Sequence, residues 1–365
     1  MPTYTQKKIS LILTGGTIAG NVAGNKVAEK NMSEPDNFLS TLNDSIEILK
    51  RNWNIEVKPH IEELFNVDSS DISPENWTAL AEKIAGTYDN FDAFIILHGT
   101  NTMGYTAAAL SFALENINKP VILTGAQVPL GYLGSDATTN LVNSLRLAVW
   151  GYHPVKGVMA VFGSKIISGV RVKKGTDFDY DPFASFITGA LGQIGRFIRI
   201  SETALEKHIS YLSKVKPLAI QSRVLSVKKE FDTQHIISLT EVPGMSRDIF
   251  QSLVENDGVK AFIFRAFGAG DASQHLFEGF EYLKKHKIPI VVTTQAPNGI
   301  ASFQVNESGK LLKERDLAIP AYDMSIESIT TKLAWLLAQK KTYEQIKIGM
   351  LEDLHGEINI ENELI

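Results

Sequence analysis

The stretch Ala-Phe-Ile-Ile-Leu-His-Gly-Thr-Asn-Thr, residues 93–102, places five apolar residues directly before a polar loop that contains glycine. A short apolar run that ends at a turn signal is typical of a strand buried on both faces of a sheet. Three further segments have this form and are each followed by glycine: residues 8–14, 121–124 and 157–162. The chain therefore repeats one unit, a buried strand followed by a loop.

Helical patterns lie between these strands. Pro74 follows Ser73, a favourable N-cap, and apolar residues at helical spacing cover 107–116 and 140–149. The pattern restarts in the second half of the chain, with strands at 259–264 and 290–293 and helices at 275–286, 325–339 and 343–354. Strands that alternate with helices predict a largely parallel sheet covered on both faces.

The length predicts two domains, since a domain takes about 150 residues. We expect a larger N-terminal α/β domain over residues 1–200, with a mixed or parallel sheet flanked by helices. A smaller C-terminal α/β domain is predicted over residues 218–365. Residues 201–217 are polar and contain several lysines, and we interpret them as the linker.

Composition excludes several classes of protein. The 365 residues include no cysteine, which excludes disulfides, thiolate zinc sites and thiol nucleophiles. The net charge of -5 is spread evenly and predicts no basic surface for nucleic acid. We find neither a secretory signal pattern nor an apolar run long enough for a membrane span, and we expect a cytoplasmic protein.

Three loops that follow strands are candidate sites, because ligands of open α/β sheets bind beyond the carboxyl ends of the strands. They cover residues 15–17, 98–102 and 268–273. Glycine in such a loop lets the backbone approach a ligand, and threonine offers a hydroxyl nucleophile. Threonine beside glycine is also common in ordinary turns, so no single loop decides the function.

Other chemistries find little support. Residues 15–20 lack the lysine of a phosphate-binding loop, and residues 268–273 end in serine where a dinucleotide-binding loop has glycine. The histidines lack the spacing of metal ligands on a helix, so we expect no metal site. We interpret His98 as a hydrogen-bonded structural residue. An internal threonine needs a base or a buried cation, for which Lys173 and Lys174 are candidates, although composition alone favours a solvated surface for both.

Five motifs together carry a resemblance to a known family: residues 14–19, 68–71, 96–103, 123–130 and 169–185. The sequence resembles the bacterial L-asparaginases of the cytosolic (type I) kind over nearly the whole chain. The resemblance implies conversion of L-asparagine to L-aspartate and ammonia without a metal or organic cofactor. It also implies a homotetramer built from intimate dimers, in which each active site borrows groups from the neighbour's C-terminal domain.

The resemblance also implies roles for individual residues. Thr17 is the nucleophile, and Thr100, assisted by Lys174, is the second reactive threonine. Ser69 contacts the α-carboxylate of the substrate, and Ser70 stands where periplasmic relatives carry glutamine. Thr17 displaces ammonia to form a β-aspartyl ester, which water then hydrolyses. Backbone amides near Thr100 stabilise the oxyanion.

Three departures from the family pattern stand out. Asn101 replaces the aspartate that binds the substrate's α-ammonium, and Asp271 replaces the asparagine that the neighbouring subunit supplies. We hypothesise that the partner's Asp271 provides the missing carboxylate; two independent changes in an altered site are the alternative. Residues 18–87 contain no tyrosine to bond the nucleophile, and Lys26 or Lys30 could take that place.

Alternative functions stay open. A related amidohydrolase could act on a different amide, and a non-catalytic paralogue could bind an amino acid. One family branch acts on glutamyl-tRNA as an amidotransferase subunit, which the slightly acidic charge disfavours. Retention of Thr17, Thr100 and Lys174 together favours an enzyme.

Overall fold

A computed structural model describes residues 4–16, 35–151, 155–204 and 225–360. The chain divides into two compact units, the first ending at Lys229 and the second beginning at Glu230 and including Phe186–Thr188. A larger N-terminal unit and a smaller C-terminal unit, both α/β, confirm the predicted fold class. Most of the predicted linker, residues 201–217, lies outside the described residues, so the domain boundaries stay predictions.

The first unit is built on a mixed sheet. In chain order its strands are β1 (Thr5–Leu13), β2 (Ile55–Glu63), β3 (Ala93–Leu97), β4 (Leu114–Glu115), β5 (Pro120–Thr124), β6 (Gly157–Phe162), β7 (Lys165–Ser168), β8 (Val172–Lys174), β9 (Phe183–Ser185), β10 (Gly192–Ile194), β11 (Ile198–Ile200) and β12 (Ser226–Val227). The main sheet has the order β2-β1-β3-β5-β6-β7-β10-β11, parallel from β2 to β6 and antiparallel beyond. Two short antiparallel pairs, β4 with β12 and β8 with β9, lie beside it.

Helices cover both faces of this sheet. They are α1 (Pro35–Trp53), α2 (Pro74–Gly86), α3 (Met103–Ala113) and α4 (Ala137–Ala148). Alternate residues of β3, such as Ile95 and Leu97, belong to the core cluster that contains the apolar residues of α1 and α4. Helices α2 and α3 pack together, and nearly every residue of α3 is buried. The predicted N-cap is present: the Ser73 amide donates to the side chain of Asn76 at 2.9 Å.

The second unit has a smaller, fully parallel sheet. Its elements are β13 (Ile236–Thr240), α5 (Asp248–Asp257), β14 (Ala261–Ala266), α6 (Phe277–Lys285), β15 (Ile290–Thr294), α7 (Glu307–Glu314), β16 (Ile319–Pro320), α8 (Ile326–Ala338) and α9 (Tyr343–Leu351). The strands lie in chain order, and four phenylalanines form the aromatic centre of the core: Phe250, Phe262, Phe264 and Phe280. None of the helices in the described ranges is both long and apolar enough for a membrane span.

Candidate active site

Three loops of the first unit meet beyond β1 and β3. Gly16, after β1, has a φ of +83°, and a Cβ there would lie 2.7 Å from the amide nitrogen of Gly99. A Cβ on Gly99 would in turn lie 2.6 Å from Oγ of Ser69. Both positions therefore require glycine for the loops to touch. Thr17, the predicted nucleophile, follows Gly16 directly but lies outside the described residues.

Lys174, at the end of β8, joins two residues of the loop after β3. Its Nζ donates to Oγ1 of Thr100 at 2.9 Å and to Oδ1 of Asn101 at 2.9 Å. Burial lowers the pKa of Lys174, and the carboxylate of Asp177 opposes that shift. A lowered pKa enlarges the neutral fraction of the amine, which can accept the hydroxyl proton of Thr100. The structure thus brings together three residues that the sequence singled out: Thr100, Asn101 and Lys174.

The Asn101 amide has one chemically consistent orientation. An ammonium only donates, so Oδ1 faces Lys174, and Nδ2 is left to donate to Oγ of Ser70 at 3.0 Å. The Ser70 amide donates to Asp68 Oδ1 at 2.8 Å, and this amide and then the Ser70 hydroxyl lower the pKa of Asp68. A directed chain of hydrogen bonds therefore runs from the Lys174 ammonium to the exposed carboxylate of Asp68.

Ser69 is buried between the loops. Its Oγ accepts the Asn101 amide at 3.2 Å, and its carbonyl oxygen accepts the hydroxyl of Thr102 at 2.5 Å. These contacts fix the loop that carries Thr100 relative to the loop that carries Ser70. Contact between Ser69 and a substrate carboxylate stays a prediction.

The backbone around Lys174 is held by a hairpin. Strand β8 pairs with β9 so that Lys174 lies opposite Phe183, whose carbonyl oxygen accepts Nζ of Lys165 at 2.9 Å. In the loop that joins β8 and β9, the carbonyl oxygen of Asp177 accepts Nε2 of Gln127 at 3.0 Å. The lysine is therefore fixed against both β7 and the loop after β5.

His98 lies behind the site, in the protein interior. Its Nδ1 is 2.6 Å from the carbonyl oxygen of Gly99, and its Nε2 is 2.9 Å from Oγ1 of Thr106. Burial lowers the pKa of His98 to about 4, so the ring is neutral at pH 7. These contacts agree with the interpretation of His98 as a structural residue.

Asp271 follows β14 in the second unit. Its Oδ2 accepts Nδ2 of Asn306 at 2.5 Å and the amide of Ala269 at 3.3 Å. Its Oδ1 is buried and finds no hydrogen-bond partner within the described part of the chain. All of these contacts lie inside one unit, so the hypothesised reach into a partner's site stays a prediction.

Two residues of the site received no role from the sequence. Asp68 precedes a Ser-Ser-Asp turn, and an aspartate that accepts the amide two residues later is a recognisable turn signal. No sequence pattern marks Asp177 as part of the site, because its effect on the pKa of Lys174 depends on the fold of the hairpin. In the described ranges, no group of three or more histidine, aspartate or glutamate residues is arranged to hold a metal ion.

Known proteins match this chain along both units. Residues 8–206 match the family profile described as "Asparaginase, N-terminal", and residues 235–350 match the "Glutaminase/Asparaginase C-terminal domain". L-asparaginase 1 of Escherichia coli is 36% identical over 294 residues, 80% of this chain and 82% of that protein. The crystal structure of L-asparaginase I from Vibrio cholerae has a TM-score of 0.78 at 32% identity and covers 97% of this chain and 100% of its own. A glutamyl-tRNA(Gln) amidotransferase subunit of Methanococcus maripaludis is 29% identical over 362 residues, 97% of this chain and 81% of the relative.

The two profiles follow the order of the two α/β units, and the loops that meet around Lys174 all lie within the first profile. Together with the likeness to L-asparaginase 1, this places the site in an enzyme that hydrolyses amides. The chain belongs to the asparaginase family.

Proposed function

We propose that the protein hydrolyses the side-chain amide of L-asparagine to L-aspartate and ammonia through a threonine acyl-enzyme. The observation that carries the proposal is the contact of Lys174 with Thr100, at 2.9 Å, beside the strand end that leads into Thr17. The resemblance is the ground for the substrate, and the contact between a hydroxyl and a partly buried amine supports the assignment of Lys174 as the base.

The reaction takes two steps. The Thr17 hydroxyl attacks the amide carbonyl and loses its proton, ammonia leaves after gaining one, and a β-aspartyl ester remains. Water then attacks the ester, releases aspartate and returns the proton to Thr17. We assign Thr100 and Lys174 to the proton transfers, since burial lowers the pKa of Lys174 and so enlarges the fraction of neutral amine that can accept a proton. Ser69, Ser70 and Asn101 are assigned to binding the amino-acid end of the substrate.

Ammonia release by the purified protein tests this proposal. Wild type, Thr17→Ala and the conservative Thr17→Ser are compared on L-asparagine, with L-glutamine as a second amide. We expect turnover by the wild type, residual turnover by Thr17→Ser and none by Thr17→Ala. Turnover that survives in Thr17→Ala would remove Thr17 as the nucleophile, and a folded wild type that releases no ammonia from either amide would refute the asparaginase activity.

A second candidate function comes from the relatives, because several are subunits of a glutamyl-tRNA(Gln) amidotransferase. The net charge of -5 gives little attraction for tRNA. Filter binding of tRNA at low salt separates the two functions. We expect this protein to retain no tRNA on the filter.

Assembly and location complete the proposal. We assign the protein to the cytosolic kind of bacterial asparaginase, and to tetramers of intimate dimers, because the sequence motifs resemble that kind. Light scattering of the purified protein gives the subunit number directly.

A further inference from the structure

A buried chain of side chains ends on the backbone of the catalytic loop. Nε1 of Trp77 lies 3.1 Å from Oγ1 of Thr106, which lies 2.9 Å from Nε2 of His98. Nδ1 of His98 lies 2.6 Å from the carbonyl oxygen of Gly99. His98 and Thr106 are at most 1% exposed, and Trp77 is 6% exposed.

The two ends of this chain fix the direction of every hydrogen bond. An indole nitrogen only donates and a carbonyl oxygen only accepts. Thr106 therefore accepts from Trp77 and donates to Nε2 of His98, and Nδ1 of His98 carries the proton that it donates to Gly99. A single tautomer, the neutral ring protonated on Nδ1, satisfies all three contacts.

The carbonyl of Gly99 belongs to the same peptide group as the amide of Thr100. The described peptide bonds are all trans, so this carbonyl and this N–H point in opposite directions. Fixing the oxygen on the interior side therefore aims the Thr100 N–H away from His98. That N–H finds no acceptor among the residues that the structure describes, whereas the next amide, of Asn101, is taken by Ser69.

We propose that Trp77, Thr106 and His98 are positioning residues that aim the Thr100 amide at the reacting carbonyl oxygen of the substrate. This role rests on the proposed amide hydrolysis at the same site. An oxyanion donor acts by being held in place before charge develops, and a buried chain with one allowed proton arrangement holds it without a mobile surface group. Among the described residues, Lys174 bonds to Thr100 and Asn101 and not to this chain of side chains, so the chain acts through the backbone of Gly99.

Thr106 offers the cleanest test, because valine keeps its shape and serine keeps its hydroxyl. We expect Thr106→Val to lower kcat at least about tenfold, below the full effect of deleting an oxyanion donor. KM for L-asparagine should change less than about twofold. The carbonyl oxygen of the substrate carries its full negative charge only in the transition state, so the Thr100 amide stabilises that state more than the bound substrate. Thr106→Ser should keep nearly all of kcat.

The matched control is Thr331→Val in α8. This substitution also removes a buried hydroxyl, but one that donates within its own helix, to the carbonyl oxygen of Glu327 at 2.8 Å. It should leave kcat unchanged.

Crystal structures of the two Thr106 variants give a readout that does not depend on turnover. The His98 ring and the Gly99 carbonyl should rotate in Thr106→Val and stay in place in Thr106→Ser. An unmoved Gly99 in the valine variant, or a kcat equal to that of Thr331→Val, overturns the positioning role. A wild type that releases no ammonia refutes the proposed hydrolysis instead, and the position of Gly99 still decides whether the chain holds the peptide.

Discussion

The residue at position 101 determines whether a neutral amide or a negative carboxylate lies beside Lys174. A carboxylate in place of its amide would face Nζ from 2.9 Å and favour the charged amine. We expect Asn101→Asp to raise the pKa of Lys174, so that the rise of kcat with pH moves to higher pH by about one unit or more. The kcat–pH profile on L-asparagine measures this shift.

A substitution at Asp177 should shift the pKa of Lys174 in the opposite direction and so serves as the control. Its carboxylate raises the pKa of Lys174 from a position exposed to solvent. Removing that charge in Asp177→Asn should move the same rise to lower pH. Equal profiles for both variants and the wild type would show that Lys174 is not the group whose titration controls turnover.

Contacts between distant residues could not be predicted from the sequence alone. Thr100 and Lys174 are 74 positions apart, and no periodicity or spacing links them. They were paired through the family resemblance. The orientation of the Asn101 amide and the tautomer of His98 depend on the complete hydrogen-bond network, which only coordinates show.

At the scale of elements, the close approach of the loops that follow β1 and β3 depends on Gly16. A Cβ there would meet backbone atoms of Gly99 at 2.7 and 2.8 Å, and a φ of +83° is itself strained for alanine. We expect Gly16→Ala to destabilise the protein by about 1–3 kcal/mol and to abolish most turnover. Denaturant unfolding and ammonia release measure the two effects.

Gly86, the last residue of α2, is the control for this substitution. A Cβ there meets nothing within 4 Å, and its φ is not positive. Gly86→Ala should therefore be neutral, or stabilise the protein by up to about 1 kcal/mol, since alanine favours the helix. If both alanine variants unfold alike, the approach of the loops does not require glycine at position 16.

Buried elements were predicted better than edge elements. The strand at 93–97 has the predicted bounds because all five residues are apolar and are bounded by a turn. β2 was not predicted, because its sequence IEVKPHIEE mixes charges with Pro59. Such a strand is tolerated at the edge of a sheet, where β1 is its one partner among the described strands. Helix α3 begins four residues before its predicted start because Gly104 and Tyr105 break the apolar pattern without breaking the helix.

At the scale of the whole molecule, the hypothesis for Asp271 requires an assembly. If the partner's Asp271 completes each site, Asp271→Asn should lose activity although the residue lies in the other unit. Mixed oligomers of Thr17→Ala and Asp271→Asn subunits should then regain activity, because some sites combine an intact Thr17 with an intact Asp271. Ammonia release after refolding of mixed subunits measures this recovery. Full activity of Asp271→Asn would refute the compensation.

The chain end of the second unit is held by a buried ion pair. Nζ of Lys332 in α8 lies 2.6 Å from Glu357, and both side chains are 0% exposed. Burial alone would raise the pKa of Glu357, but the Lys332 ammonium outweighs it and the pKa falls to about 2. The folded protein therefore gains stability from this carboxylate above its ordinary pKa of 4.5 and loses it as the pH falls toward 2.

Two variants test this pair. Lys332→Met should lower the free energy of unfolding by about 3–5 kcal/mol at pH 7, because a buried charge loses its partner. In Glu357→Gln, the free energy of unfolding should decrease less between pH 4.5 and pH 3 than it does in the wild type. At pH 7 this variant should also be less stable than the wild type. An unchanged pH dependence of unfolding in Glu357→Gln would show that this carboxylate does not titrate with unfolding.

The directed chain from Lys174 to Asp68 has a consequence for laboratory evolution. Asn101 and Ser70 are its exposed middle members, whereas Gly99 and Ser69 beside them are buried. A combinatorial library confined to positions 70 and 101 would therefore sample new amide substrates without touching the packed interior. Libraries at positions 69 and 99 would return mostly unfolded clones.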